Sequence, residues 1–302
     1  MSTSRSASRR VLRRVGPLAA AAAILLSLGV AGVSAARHEE GRSVLDIRAV
    51  VHARGGKDAG HTARPTGSPN LTNHGGPIMT SSRVTAIFWG KSWTASDAKV
   101  TGLDTLYSGI GGSSYMNTNT EYSSSNGQVG SAVAFDGHLI DTSAGPTRAP
   151  STSTILAEVS KEIANPVANG YYPVYTDLPR GNTGYCAWHS AGTVHGVQVQ
   201  FGFFFKLDGD PGCDPQDPGT IHSQGLEALA NVSGHELSEA VTDPQLNAWY
   251  DKSGAENADK CAWTFSGTVR IGGESWKIQG NWSNAAYDTR SGYDGAGCIQ
   301  TR

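Results

Sequence analysis

Charge is scarce in this sequence. Asp, Glu, Lys and Arg make up 17% of the 302 residues, and the formal net charge is only −2. Eight of the 24 Lys and Arg residues lie within the first 48 positions, which leaves the remainder mildly acidic. A protein without a strong basic surface is poorly suited to nucleic acid or an anionic membrane as its main partner. Low charge together with 38 glycines is typical of a loop-rich secreted protein rather than a long helical one.

Long apolar runs are missing beyond the N-terminus. Residues 17–33 form an Ala-rich apolar region behind five arginines, and positions 33–36 offer small residues for cleavage. This layout predicts a signal peptide over residues 1–36, with a retained membrane anchor as the alternative. Positions 8–12 (SRRVL) partly resemble a twin-arginine signal, so export of the folded protein is an alternative to the Sec route. We expect a secreted protein with no membrane contact after signal removal.

Cysteine is also sparse, with four residues at Cys186, Cys213, Cys261 and Cys298. No two of them lie within four residues of each other, which argues against a four-thiolate zinc site. An even number of cysteines in an oxidising compartment predicts two disulfides. Three connectivities are possible, and we favour Cys186–Cys213 and Cys261–Cys298 because each closes a local loop of moderate length.

The sequence divides into a short lead-in and one domain. Residues 37–72 are rich in Arg, His, Gly, Pro and Ser, and they show little apolar periodicity beyond residues 44–51. We interpret this stretch as a propeptide or flexible linker. The remaining residues, 73–302, are enough for a single well-buried core.

Within the domain, strand and helix patterns alternate. Apolar periodicity predicts strands at residues 84–89, 129–135, 171–175 and 194–206, and helices at 96–110, 151–164 and 220–242. The last 40 residues are rich in Trp, Gly and Ser and predict a small β meander. We therefore expect an α/β fold: a single zincin-like domain with a twisted mixed sheet, a backing helix, an active-site helix and the C-terminal meander.

The third predicted helix carries His235-Glu236-Leu237-Ser238-Glu239. A zincin helix has His-Glu-x-x-His, in which two ligands lie one turn apart and the Glu activates water. Here Glu239 takes the second ligand position. At about 100° per residue, His235 and Glu239 share one face of the helix, and the apolar residues occupy the opposite face. We predict that His235 and Glu239 bind a metal on a face turned away from the core, with Glu236 beside them as the general base.

A third protein ligand is expected, because catalytic zinc sites usually have three. Asp243 would lie about 12 Å further along a continuous helix, too far for one ion unless the helix breaks first. The carboxylates that follow are better candidates. We favour Asp259, which is close to a predicted disulfide, then Glu256, then Asp251. One histidine and two carboxylates suit Zn²⁺, with Mn²⁺ or Ca²⁺ as alternatives.

Two further histidines lie in possible functional contexts. His74, within Asn-His-Gly-Gly-Pro, is interpreted as closing a turn, with an approach to the site as the alternative. His189 follows Cys186 by three residues, and the disulfide prediction there makes His189 an ordinary loop residue.

Several segments resemble a known family. Residues 73–80 (NHGGPIMT) and the strand that follows them resemble the opening of the Exordium-like, or phosphate-induced protein, family. Residues 235–244, 247–251 (NAWYD), 256–261 (ENADKC) and 279–284 (QGNWSN) resemble bacterial relatives of that family. The resemblance covers residues 73–302 and implies a secreted protein. Plant members are cell-wall proteins, and no peptidase activity defines the family.

These observations predict a secreted metal-dependent hydrolase, with a peptidase as the leading interpretation. Glu236 would accept a proton from water activated by the metal. The expected partner is a polypeptide substrate or a cell-wall component, and we expect a monomer. The alternative is a non-catalytic extracellular protein that binds wall carbohydrate or another partner and retains the motif for stability.

Overall fold

A computed structural model describes residues 49–54, 69–216 and 221–302. These residues belong to one compact unit, Arg42–Arg302. The predicted signal peptide at residues 1–36 lies outside the described residues, as does most of the predicted propeptide. Within the described part of the protein, no helix has the length and apolar character needed to cross a bilayer.

The strands are short except in one sheet. In sequence order they are β1 (Ala49–His52), β2 (Thr72–Asn73), β3 (Ser82–Trp89), β4 (Ser123–Ser124), β5 (Gly127–Gln128), β6 (Val133–Asp141), β7 (Gly170–Pro179), β8 (Tyr185–Val194), β9 (Val197–Lys206), β10 (Trp249–Tyr250), β11 (Val269–Ile271), β12 (Glu274–Trp276), β13 (Asn281–Trp282) and β14 (Cys298–Ile299). The α-helices are α1 (Ala98–Ile110), α2 (Thr152–Glu162), α3 (Gln224–Thr242) and α4 (Asn284–Asp288). Two 3-10 helices span Met116–Glu121 and Asp259–Cys261.

A six-stranded mixed sheet organises the molecule, with strand order β1-β8-β9-β7-β3-β6. Strands β3, β6, β7 and β9 are mutually parallel, β8 is antiparallel to β9, and β1 is antiparallel to β8. The α/β class with a mixed sheet is therefore confirmed. In the C-terminal region the strands form small two-stranded pairs, β11–β12 and β13–β14, instead of one continuous meander.

Each long helix begins at a side chain that caps it. Asp97, Ser151 and Ser223 accept hydrogen bonds from backbone N–H groups in the first turns of α1, α2 and α3. Such caps satisfy amide groups that have no partner inside the helix. Local sequence therefore determines where the three helices start.

The helices lie on both faces of the sheet. On one face, the hydroxyl of Tyr175 from β7 lies 2.8 Å from that of Tyr107 in α1 and 2.7 Å from that of Ser233 in α3. On β8, a Cβ added to Gly192 would meet Leu156 of α2. Side chains alternate along a strand, so position 192 faces away from position 189, whose side chain faces α3. Helix α2 therefore covers the opposite face from α1 and α3.

Three sequence-based assignments differ from the structure at this sheet. The strand predicted at residues 129–135 is β6, which spans Val133–Asp141. Strand β8 was not predicted, since its central residues 186–190 are buried on both faces and the segment shows no alternation of apolar and polar residues. The predicted flexible linker includes β1, which forms the outer strand of the sheet beside β8. Residues 69–72 also belong to the folded unit, and Leu71 among them is buried.

Both predicted disulfides are confirmed. Cys186 pairs with Cys213, and Cys261 pairs with Cys298. The two bonds close loops of 27 and 37 residues, the moderate lengths on which the pairing was predicted. Structural disulfides of this kind fit an oxidising compartment.

Candidate metal centre

Helix α3 brings the first two predicted ligands together. Nε2 of His235 lies 3.0 Å from Oε1 of Glu239, one helical turn further along. This is the neighbour relationship expected for an i, i+4 pair. Glu236 follows His235 directly and lies in a second group, with Glu239 and a histidine from β8, whose possible ligand atoms are within 4.8 Å of one another.

The helix face that carries these residues is buried, which corrects the prediction of a face turned away from the core. Residues 225–242 of α3 are buried on every side. Helical periodicity identifies an apolar face but does not reveal what covers the polar one. Here the segments that follow α3 in the sequence cover it, through contacts of Asp259 and Gln279 with His235.

The predicted third ligand, Asp259, lies beside this pair. Its Oδ1 is 3.5 Å from Nε2 of His235, and its backbone N–H donates a 3.0 Å hydrogen bond to Oε1 of Glu239. The possible ligand atoms of His235, Glu239 and Asp259 all lie within 4.8 Å of one another. The Asp259 side chain is 24% exposed, whereas those of His235 and Glu239 are fully buried. Solvent therefore reaches this group from the Asp259 side.

A second histidine, His189, belongs to the same cluster, and the prediction of an ordinary loop residue is wrong. His189 lies on β8 and is fully buried. Its Nε2 lies 3.2 Å from Oε2 of Glu256 and 3.6 Å from Oε2 of Glu239. The predicted disulfide at Cys186 favoured a loop at this position. The signal that was missed is β8 itself, because the strand directs the His189 side chain towards α3.

The hydrogen bonds of the other acidic candidates distinguish the one that contacts the cluster from the two that do not. Glu256, the second choice for a ligand, reaches the cluster through His189. Asp251 instead accepts a hydrogen bond from Lys260 and from two backbone N–H groups of its own turn. Asp243 caps the end of α3, and its Oδ1 accepts hydrogen bonds from the backbone of residues 247 and 248. Asp251 and Asp243 therefore shape loops.

His74 also has a structural position. Its ring stacks on Tyr250 at a centroid distance of 3.6 Å, and its backbone N–H donates to the carbonyl of Ala248. These contacts join β2 to β10 and support the prediction that His74 closes a turn.

Six of the buried side-chain polar atoms that lack a hydrogen-bond partner among the described residues belong to the cluster. They are His189 Nδ1, His235 Nε2, Glu236 Oε1 and Oε2, Glu239 Oε2 and Glu256 Oε1. Buried polar groups normally have partners, because burial without one costs free energy. Four carboxyl groups and two imidazoles in one small volume need either several protons or a cation. A divalent metal would satisfy the same oxygen and nitrogen atoms, so the donor set fits one.

The electrostatics of the glutamates reflect this crowding. Burial raises the pKa of Glu236, Glu239 and Glu256, that of Glu239 to about 7. Repulsion between neighbouring carboxylates raises these pKa values further, whereas attraction to His235 opposes the rise for Glu236 and Glu239. The backbone N–H of Val51 in β1 also lowers the pKa of Glu236, although neither oxygen of Glu236 makes a hydrogen bond of normal geometry.

The two histidines shift in opposite directions. Burial lowers the pKa of His189 to about 3, and repulsion from His235 adds to this shift. Burial also acts to lower the pKa of His235, but Glu239 and Asp259 together outweigh it and raise that pKa well above its usual value. His189 is therefore neutral at neutral pH, and its contact with Glu256 is a hydrogen bond rather than an ion pair.

Gln279 fixes the orientation of the His235 ring. Its Oε1 accepts a hydrogen bond from the backbone N–H of Trp263, and its Nε2 donates to the carbonyl of Ala258. The same Nε2 lies 2.6 Å from Nδ1 of His235. With the amide held in this orientation, Nδ1 is the nitrogen that Gln279 contacts, and Nε2 is the nitrogen beside Glu239 and Asp259. Nε2 is therefore the atom that would bind a metal.

A second acidic group lies far along the sequence from this centre and has its own cation. Asp141, Glu158 and Glu162 surround Lys161, whose Nζ is 2.5 Å from Oδ2 of Asp141. The lysine also lies 3.3 Å from Glu158 and 3.0 Å from Glu162. Lys161 therefore offsets part of the negative charge of this group, and in this respect the group differs from the cluster on α3.

No family model matches the sequence, and no match was found among curated proteins or solved structures. Membership of the Exordium-like family therefore remains a prediction from the sequence motifs. The chemistry of the centre is inferred from its residues alone.

Proposed function

We propose that this protein is a secreted metal-dependent hydrolase, in the first instance a peptidase, with zinc as the metal. His235, Glu239 and Asp259 would hold the ion, and Mn²⁺ or Ca²⁺ are the alternatives for a donor set rich in carboxylates. The observation that carries the proposal is the convergence of these three side chains in a buried cluster with unpaired donor atoms. A zincin-like arrangement is part of the proposal, because α3 lies on a mixed sheet with α1 packed beside it.

The residues of the cluster would divide the chemistry among them. When bound, zinc would supply Lewis acidity and lower the pKa of water at the site. Neither oxygen of Glu236 has a hydrogen-bond partner of normal geometry among the described residues, and the carboxyl lies in the same group as Glu239, so it is placed to accept a proton and return it to a leaving amine. His189, held neutral by burial, lies next to Glu239 and would restrict the position of that carboxylate.

Secretion belongs to the same proposal. The two disulfides fit an oxidising compartment, and the N-terminal residues have the layout of an export signal. A polypeptide substrate would then be met outside the cell.

One observation favours the alternative of a non-catalytic extracellular or wall-binding protein. The side chains of His235, Glu236 and Glu239 are fully buried, and a catalytic centre needs a path for substrate. In that case the cluster would hold a metal or shared protons for stability alone.

Metal content tests the proposal directly. The protein without its predicted signal peptide is purified, exposed to zinc, desalted and measured by elemental analysis. We expect one equivalent of zinc in the wild type and in Glu236→Gln, and loss of zinc in Glu239→Gln. Glu227→Gln is the matched control, because Glu227 is a buried glutamate in the same helix that bonds to the backbone of Lys277, outside the cluster.

Proteolysis of an unfolded substrate such as reduced casein separates the two functions. Glu236→Gln with bound zinc and a rate at least about 100-fold below wild type would support catalysis. Zinc in the wild type and in Glu236→Gln with no proteolysis by either would favour the binding protein, and a wild type that retains no metal would falsify the metal centre.

A further inference from the structure

Strand β1 occupies the outer edge of the sheet next to the candidate centre. It pairs antiparallel with β8, placing Ala49 opposite His189, Val50 opposite Trp188 and Val51 opposite Ala187. In the strand order of the sheet, β8 would be the edge strand if β1 were removed. An edge strand presents unpaired backbone N–H and C=O groups, which can pair with any extended polypeptide.

The same strand borders the cluster. Ala49 lies directly opposite His189, and residues directly opposite each other in an antiparallel pair project from the same face, so the side chains of Ala49 and of the fully buried Val51 face α3. A strand that served only to complete the sheet would be expected to lie over apolar side chains, because an unpaired buried carboxylate costs free energy. Instead, β1 pairs with the part of β8 that carries His189, in the same group as the residue that we assign as general base.

Contacts at its C-terminal end hold β1 in place. The carbonyl of His52 accepts a 2.8 Å hydrogen bond from Nε1 of Trp263. The backbone N–H of Ala53 donates to Gly184, and that of Arg54 donates to Gly212. The Arg54 guanidinium lies over the Trp263 ring at 5.7 Å and donates a hydrogen bond to the carbonyl of Asp214. All of these partners lie in loops, and none lies within a strand of the sheet.

The position of β1 in the sequence adds a further argument. It falls within residues 37–72, the stretch with the composition of a propeptide, and residues 55–68 join it to the rest of the domain. A segment of that kind can leave the domain without breaking the backbone of the core.

We propose that β1 is an internal substitute for an extended polypeptide substrate, which blocks the centre until it is displaced. Substrate then binds as a strand antiparallel to β8, in the register that β1 now occupies, with its backbone passing His189 and the cluster. This inference rests on the proposed peptidase function and specifies its substrate class and its control: an extended, unfolded segment of polypeptide that competes with residues 49–54.

The test uses the whole protein after removal of the predicted signal peptide, supplied with zinc. Val51→Asp places a carboxylate at a fully buried position on the face of the sheet that carries α3 and should expel β1, whereas Val51→Thr preserves the shape of the side chain and is the matched control. Trp263→Phe loosens the same strand from its other end, because it removes the donor to His52 without adding charge to the centre. Circular dichroism confirms that each variant is folded, and Trp263→Phe carries the test if Val51→Asp is not.

Two measurements are made on these proteins. The first is the rate of reduced casein cleavage. We expect at least a tenfold increase in Val51→Asp, a smaller increase in Trp263→Phe, and no change in Val51→Thr. The peptide Ala-Val-Val-His-Ala-Arg, with the sequence of residues 49–54, should return Val51→Asp to the wild-type rate. Equal rates in wild type and in both loosened variants would overturn the inference while leaving the peptidase function intact.

The second measurement does not require activity. Binding of the same peptide, labelled with a fluorophore, is followed by anisotropy. We expect binding to Val51→Asp at least tenfold tighter than to wild type. If no protein cleaves casein, the peptidase function fails, and this binding alone decides whether β1 is a displaceable strand. Equal, weak binding to both proteins would show that it is not.

Discussion

Nε2 of His189 lies 3.2 Å from Oε2 of Glu256, although the two residues are 67 positions apart and come from a strand and a loop. Both side chains are buried, and the same imidazole nitrogen lies 3.6 Å from Glu239. His189 therefore connects the sheet to the acidic cluster on α3. This contact makes His189 a sensitive test of whether the cluster holds a metal.

Replacement of His189 by Asn should weaken zinc binding by roughly 10- to 100-fold, because Glu239 loses the neighbour that restricts its free oxygen. Zinc affinity is measured by competition with a chromophoric chelator. His195→Asn is the matched control, since His195 is an exposed histidine just beyond the same strand, where its ring contacts the carbonyl of Ser160. An unchanged affinity in His189→Asn would restrict the site to His235, Glu239 and Asp259.

Removal of the metal should destabilise the domain. A ligand that binds only the folded state at 100 times its Kd adds about 2.7 kcal/mol to the free energy of unfolding. In a domain of this size, that corresponds to a fall in Tm of roughly 5–10 °C when a chelator is added. Differential scanning calorimetry with and without chelator measures the change. The Glu239→Gln variant should show no chelator effect, and an effect of equal size in that variant would place the metal elsewhere.

Glu158 should make stability depend on pH. Burial raises the pKa of this carboxyl to about 7, and its hydrogen bond with Asp141 adds to the rise. Between its ordinary value of 4.5 and about 7, the folded state holds a proton that the unfolded state has lost, so the contribution of Glu158 to stability falls as pH rises through this window.

Glu158→Gln removes that titration. Relative to wild type, the variant should gain on the order of 2 kcal/mol in the free energy of unfolding between pH 4.5 and pH 7.5. Urea unfolding at the two pH values measures the gain. Glu162→Gln, on the same helix and also in contact with Lys161, serves as the control. A constant difference between Glu158→Gln and wild type across the window would contradict the assignment.

Gly109 allows close packing of α1 against the C-terminal region. A Cβ at this position would lie 2.2 Å from the backbone of Gly272, where there is no flexible side chain to move aside. Gly109→Ala should therefore lower the free energy of unfolding by roughly 1–3 kcal/mol. Urea unfolding is the measurement, and Gly184→Ala is the control because a Cβ at Gly184 would have no atom within 4 Å. Equal stability of the two variants would mean that this contact is looser than the structure indicates.

Much of the fold could be predicted from local patterns. The strand at residues 84–89 and the presence of three long helices follow from apolar periodicity, although α1 and α3 begin at Ala98 and Gln224, a few residues later than predicted. The disulfide pairs follow from loop length. Strand β8 escaped prediction for a physical reason: its centre is buried on both sides, so the period of two that identifies a half-exposed strand is absent.

The candidate centre likewise combines features that the sequence predicts with features that depend on the fold. The amino-acid order already places His235 and Glu239 one turn apart, because this distance depends only on helix geometry. Three features depend on the folded protein: His189 and Glu256 join the pair, the whole face is buried, and β1 lies beside His189 at the edge of the sheet. Those contacts join segments far apart in the sequence, and only the packing of the sheet, α3 and the C-terminal loops brings them together.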